Sequence, residues 1–142
     1  MLSAKVVCAI QILRELAVRK NQPESSGLKT SELKQQGTFQ EMQYSKILTR
    51  LRAKGYIDKF GDRYILLTNL DQITLEDMVN LYHGGIVIGE TYTTQADKLY
   101  QYDDKYKGLV QTERSLSDYL KKKLSEIDLS RLLFQFEGAA NF

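Results

Sequence analysis

Between Tyr44 and Leu67 the chain switches from a helical to a strand-like hydrophobic period across a single glycine. Tyr44, Ile47, Leu48 and Leu51 stand at i, i+3, i+4 and i+7, the spacing that lines one face of a helix. Gly55 ends that run, and two β-prone runs follow, Tyr56-Ile57-Asp58-Lys59-Phe60 and Tyr64-Ile65-Leu66-Leu67, around Gly61-Asp62-Arg63. A helix delivered straight into a short hairpin leaves few architectures open. Neither unit buries its apolar face alone, so further helices must cover both.

The sequence before this junction supplies them. Leu2, Val6, Ala9, Ile10, Leu13, Leu16 and Ala17 recur at spacings of three and four, predicting a helix from Leu2 to Lys20 with Ser3 as its cap. Residues 21 to 27 hold the only proline and no apolar side chain, which reads as a surface loop. Thr30-Ser31-Glu32-Leu33 opens a short helix with a hydroxyl cap, and Gly37 stands where a left-handed residue would close it. The longer helix is expected over Phe39 to Lys54. Two helices joined by a tight glycine-containing turn form a helix-turn-helix, and the hairpin after them is the wing. The expected class is mainly α with a small β-hairpin, a winged helix-turn-helix domain followed by a long C-terminal dimerisation helix.

After the hairpin, Thr74 with Asp77 three residues on marks a capped helix running to Tyr82, before Gly84-Gly85. Residues 84–111 have no clear period and carry Tyr92, Tyr100, Tyr102 and Tyr106. An amphipathic helix is expected from near Thr112, with Leu116, Leu120, Leu124 and Ile127 as its stripe. Asp128-Leu129-Ser130 breaks it before a short apolar turn at Leu132, Leu133, Phe134 and Phe136. The organisation is thus a winged-helix domain over 1–83, a connector over 84–111, and a dimerisation helix with a short terminal helix over 112–142.

Composition narrows the chemistry. A single cysteine, Cys8, and a single histidine, His83, supply too few ligands for structural zinc or a Cys-ligated iron–sulfur cluster, so no metal or cofactor is expected. Cys8 lies on the apolar side of the first helix, where a thiol is an inert small hydrophobe. No apolar run approaches the roughly 20 residues of a membrane span, and the N-terminal stretch is charged throughout, so a cytoplasmic protein without membrane contact is expected. Nucleophile–base arrangements, metal-ligand spacings and glycine-rich phosphate loops are all missing from the sequence, which argues against an enzyme.

Charge is unevenly spread. Residues 1–67 carry 12 Lys+Arg against 6 Asp+Glu, net +6, while residues 68–142 carry 8 against 12, net −4. A locally basic half attracts a polyanion whatever the net charge of the whole. On the helix before the hairpin, turning Tyr44, Ile47, Leu48 and Leu51 inward leaves Gln40, Gln43, Lys46, Arg50 and Lys54 outside. Gln and Arg can read base edges in the major groove, and Lys and Arg neutralise phosphates. Base reading falls to Gln40 and Gln43 near the helix start, and phosphate contact to Lys46, Arg50 and Lys54. Lys59 and Arg63 on the wing, and Ser3 and Lys5 at the start of the first helix, complete the candidate DNA-binding set. The competing reading is an ordinary solvated helix face, or a winged helix used for protein–protein contact without specific DNA binding.

These motifs resemble the IscR, NsrR and CymR type of winged-helix regulators, the Rrf-two family. Ser3-Ala4-Lys5 leads into helix one. The run Ile47-Leu48-Thr49-Arg50-Leu51-Arg52-Ala53-Lys54-Gly55-Tyr56-Ile57 is similar to the family's "ilxxLrkaGlv", and Ile73-Thr74-Leu75-Glu76-Asp77-Met78-Val79 to its "ItLxdiv". Leu129-Ser130-Arg131-Leu132-Leu133 is similar to its closing "tladLl". The resemblance implies a homodimeric bacterial transcription regulator, a repressor acting on double-stranded DNA, with Leu116, Leu120, Leu124 and Ile127 at the dimer seam. Two departures stand out: a wing tip reduced to Gly61-Asp62-Arg63-Tyr64, and no cysteine in residues 83–112, where cluster-binding members place three. A cluster-free member is therefore expected, with Tyr92, Tyr100, Tyr102 and Tyr106 as candidates to line a pocket for an unidentified small-molecule effector.

Overall fold

Ser3 begins the first helix by local chemistry: its Oγ accepts from the Val6 N–H at 3.3 Å and its carbonyl from the Val7 N–H at 3.0 Å. The computed structural model describes residues 2–20, 27–37, 42–82 and 107–139. Helix α1 spans Ala4–Lys20 and is the central element of the core. It buries Cys8 and Ile12 as well as Val6, Ala9, Ile10, Leu13 and Leu16, a wider face than the three-and-four spacing marks out, because it is covered from several sides. Ala17, expected inside, is only partly buried.

Strand β1, Leu28–Lys29, precedes α2, Thr30–Gln36. Helix α2 departs from expectation at both ends. Its N-cap is Lys29 with no side-chain cap, since the chain enters directly from a strand. Gly37 is extended at φ −83°, not left-handed. A Cβ at Gly37 would run into the Tyr44 hydroxyl and crowd the Leu33 carbonyl at 3.2 Å, so this glycine provides space and not a turn. Gly37→Ala is expected to lower stability by about 1–3 kcal/mol through overpacking, read as a drop in thermal midpoint with the helical circular dichroism kept.

Helix α3 is Tyr44–Ala53, shorter than the expected Phe39–Lys54. Its buried residues are Tyr44, Ile47, Leu48 and Leu51, as the spacing requires. Gly55, at φ +79°, ends it in a Schellman motif: the Tyr56 N–H donates to the Leu51 carbonyl and the Gly55 N–H to that of Arg52. Strands β2 (Ile57–Phe60) and β3 (Arg63–Leu66) pair antiparallel, with Ile57 opposite Leu66 and Phe60 opposite Arg63. The two-residue loop has positive φ at Gly61 alone, the pattern of a type II′ turn. On its other edge β3 pairs with β1, giving sheet order β1-β3-β2. No signal in the sequence marks β1, because a two-residue strand exists only through its partner.

A 3₁₀ turn at Leu70–Gln72 leads to α4, Leu75–Val79, which carries the expected capping box. Asp77 N–H donates to Thr74 Oγ1 at 3.1 Å and Thr74 N–H to Asp77 Oδ2 at 2.9 Å. The helix stops at Val79 and not at Tyr82. A turn follows in which Leu81 is buried and Tyr82 half-buried. Helix α5 spans Lys107–Ser125, starting five residues before the expected Thr112 and packing against α4. In place of a short apolar turn stands an 11-residue helix, α6, Leu129–Ala139. Asp128 caps it by accepting from the Arg131 N–H at 2.9 Å. Between α5 and α6 the main chain bonds back to the domain, Leu75 N–H to the Ile127 carbonyl and Leu129 N–H to the Ile73 carbonyl, both at 2.8 Å.

Candidate nucleic-acid interface

Seating α3 on α1 through its apolar face fixes which side chains it turns outward. Lys46, Arg50 and Lys54 fall in one i, i+4 row, all exposed, and α3 contains no acidic residue. Like charges at this spacing cost about 0.2–0.5 kcal/mol per pair. Lys5, exposed on the first turn of α1, lies beside this row. Lys5, Lys46 and Arg50 edge an open groove of about 730 Å³ that is also lined by Met42, Ile47, Ala53 and Tyr82. Among the described residues, every ionisable side chain in its wall besides Tyr82 is a cation: Lys5, Lys46 and Arg50.

Arg50 is not a free arm. Its Nη1 donates to the Leu81 carbonyl at 2.7 Å and its guanidinium carbon sits 4.6 Å from the Tyr82 ring centroid. The Lys5 Nζ lies 5.6 Å from the same centroid. Burial pushes the Tyr82 hydroxyl above its ordinary pKa, and the Arg50 charge opposes the shift. Sequence reading missed Tyr82 as a site residue because its partners are 32 or more positions away and no local pattern marks it.

The other expected site residues separate. Gln43 is exposed at the N-cap of α3 and lines the groove, whereas Gln40 lies outside the described residues. Because α3 begins at Tyr44, the exposed polar residues nearest its start are Gln43, Ser45 and Lys46, and Ser45 was not foreseen. Thr49 is also exposed, but its hydroxyl donates to the Ser45 carbonyl at 2.8 Å. Ser3 spends its hydroxyl on capping α1. Lys54 is the exposed C-cap of α3. On the wing, Lys59 is exposed with its Nζ 5.5 Å from the Tyr64 centroid. Arg63 points inward, donating to the Gly27 carbonyl at 3.0 Å and pairing with Glu32 at 3.4 Å, so it braces β3 against α2. Arg52 pairs with Asp58 at 3.0 Å, joining α3 to the wing.

Of the seam residues, Leu116 is 59% exposed and Leu120 half-buried, while Leu124 is buried against the domain. Ile127 sits at the exposed margin. Leu109 and Tyr119 extend the exposed apolar part of α5. Tyr92, Tyr100, Tyr102, Tyr106 and His83 lie outside the described residues.

Cys8 is fully buried; burial pushes its thiol pKa up, with a hydrogen bond from Tyr44 opposing the shift. The thiolate is the reactive form. Native protein is therefore expected to react with a chromogenic disulfide reagent far more slowly than urea-unfolded protein, and equal rates would contradict the packing. Among the described residues no group of three or more His, Cys, Asp or Glu could hold a metal ion, and no helix is long and apolar enough to cross a membrane.

No protein-family model matches the chain, and no curated protein matches it in sequence. Its fold does match solved structures. IscR of T. potens superposes with a TM-score of 0.62 over 98% of this chain and 90% of its own, at 15% identity. CymR of B. subtilis, the global cysteine regulator, gives 0.61 over 92% and 93% at 23% identity. Oxidised CymR of Staphylococcus aureus gives 0.62 over 93% and 94% at 17% identity. The chain thus shares the winged-helix fold of these regulators along nearly its whole length.

Proposed function

We propose that the chain is a transcription regulator of the IscR and CymR type, a member of the Rrf-two family that binds duplex DNA as a homodimer. The observation that carries this reading is the Lys46–Arg50–Lys54 row along α3 and its C-cap, of which Lys46 and Arg50 join Lys5 of α1 around a groove whose described lining includes no carboxylate. Helix α3 is the second helix of the helix-turn-helix, the element that enters the major groove in this architecture. Gln43, Ser45 and Lys46 at its start face base edges; Arg50, Lys54 and Lys5 contact phosphates. The half-exposed stripe of α5 supports pairing with a second copy, which presents two recognition helices to half-sites about 34–36 Å apart. The lone cysteine supports a cluster-free protein, and occlusion of a promoter makes it a repressor.

The test is fluorescence anisotropy with labelled promoter and mixed-sequence duplexes at roughly 50 and 200 mM salt. Binding that weakens steeply with salt and prefers particular fragments is expected. Absence of binding to every duplex would overturn the reading and favour a protein-contact module.

A further inference from the structure

Two cations from different helices converge on one aromatic ring. Lys5 comes from the first turn of α1, Arg50 from the middle of α3, and Tyr82 from the turn after α4. The ring centroid is 5.6 Å from Lys5 Nζ and 4.6 Å from the Arg50 guanidinium carbon, while the Leu81 carbonyl takes one Arg50 N–H at 2.7 Å. Two like charges on separate helices repel unless something holds both, and the electron-rich face of a tyrosine attracts each. Arg50 has five N–H donors, so the carbonyl bond orients the guanidinium and leaves others for a ligand. Both cations line the open groove, so what they present outward is a paired anion site.

We infer that Tyr82 is a positioning residue: with the Leu81 carbonyl it organises Lys5 and Arg50 into a preformed clamp for a backbone phosphate of duplex DNA. The inference rests on the reading of α3 as a DNA-binding helix. Holding two long side chains in place before binding removes their ordering cost from the association step. The clamp also ties the approach of α1 to that of α3, so both helices meet the same stretch of backbone.

The experiment is anisotropy titration of a fluorescein-labelled mixed-sequence duplex, because phosphate contacts are read on any sequence. Tyr82→Phe keeps the ring and is expected to bind as the unmodified protein does. Tyr82→Leu is expected to bind about tenfold more weakly, with a shallower dependence on salt. In a Lys5→Ala/Arg50→Ala background Tyr82→Leu is expected to have no further effect, which a merely structural role would not produce. Arg50→Lys keeps the charge but loses the flat, carbonyl-tethered guanidinium; it is expected to match Tyr82→Leu, and it stands in if that variant melts early in circular dichroism. Full affinity in Tyr82→Leu or Arg50→Lys, or an undiminished Tyr82→Leu effect in the double background, would overturn the clamp while leaving DNA binding intact. Failure of the unmodified protein to bind any duplex would overturn both.

Discussion

Replacing Arg50 by Ala is expected to weaken duplex binding by about 10- to 100-fold, the loss of one charge-assisted hydrogen bond of roughly 1.5–3 kcal/mol. The slope of log affinity against log salt should fall by about 0.9, the signature of one phosphate contact given up. Arg50 is exposed and, among the described residues, makes one hydrogen bond, to the Leu81 carbonyl, so the variant should remain folded with a modest loss of stability. Affinity and stability therefore separate in this variant. A melting temperature that collapses together with affinity would instead make Arg50 a structural tie between α3 and the turn after α4.

Leu116→Asp is expected to convert a dimer into a monomer, read as a halved mass in sedimentation equilibrium. Within one chain Leu116 is 59% exposed, as is most of Tyr119 at 61%, and Leu109 one heptad earlier is 49% exposed. Covering an exposed Leu contributes about 1.5–3 kcal/mol, and at a two-fold seam each substitution counts twice. Leu120 is a poorer probe, since it also packs on its own domain and its loss would confuse dimerisation with folding. The monomer should bind a palindromic duplex far more weakly, because two half-sites no longer add. An unchanged mass would remove the stripe as an interface.

Local signals in the sequence carried over where their partners are close along the chain. Gly55 ends α3, Thr74 and Asp77 form their capping box, and Gly61 turns the hairpin, because each is decided within five or six residues. Errors arose where distant contacts decide. Gly37 answers to the Tyr44 ring and not to its own φ. Strand β1 exists only against β3, and α3 starts at Tyr44 behind Gln43, whose side chain makes no capping bond, so no local cap signal marks its start. The site followed the same rule. The α3 row was legible as spacing, while Tyr82 joins it only by folding back over 32 residues, and Arg63, basic and on the wing, turns inward to Gly27 and Glu32.

The junction between α5 and α6 has a mechanical meaning. Helix α5 is about 28 Å long and, among the described residues, is fastened to the domain chiefly near its C-terminal end, by Leu124 and by the two main-chain bonds of Leu75 and Leu129. At that end its mounting is a pair of main-chain hydrogen bonds. Those bonds ask nothing of the side chains at 75 and 129, so the mounting survives any residue there that still fits the core, with one exception. Proline has no N–H to give, and at either position it would unbolt the arm from its base.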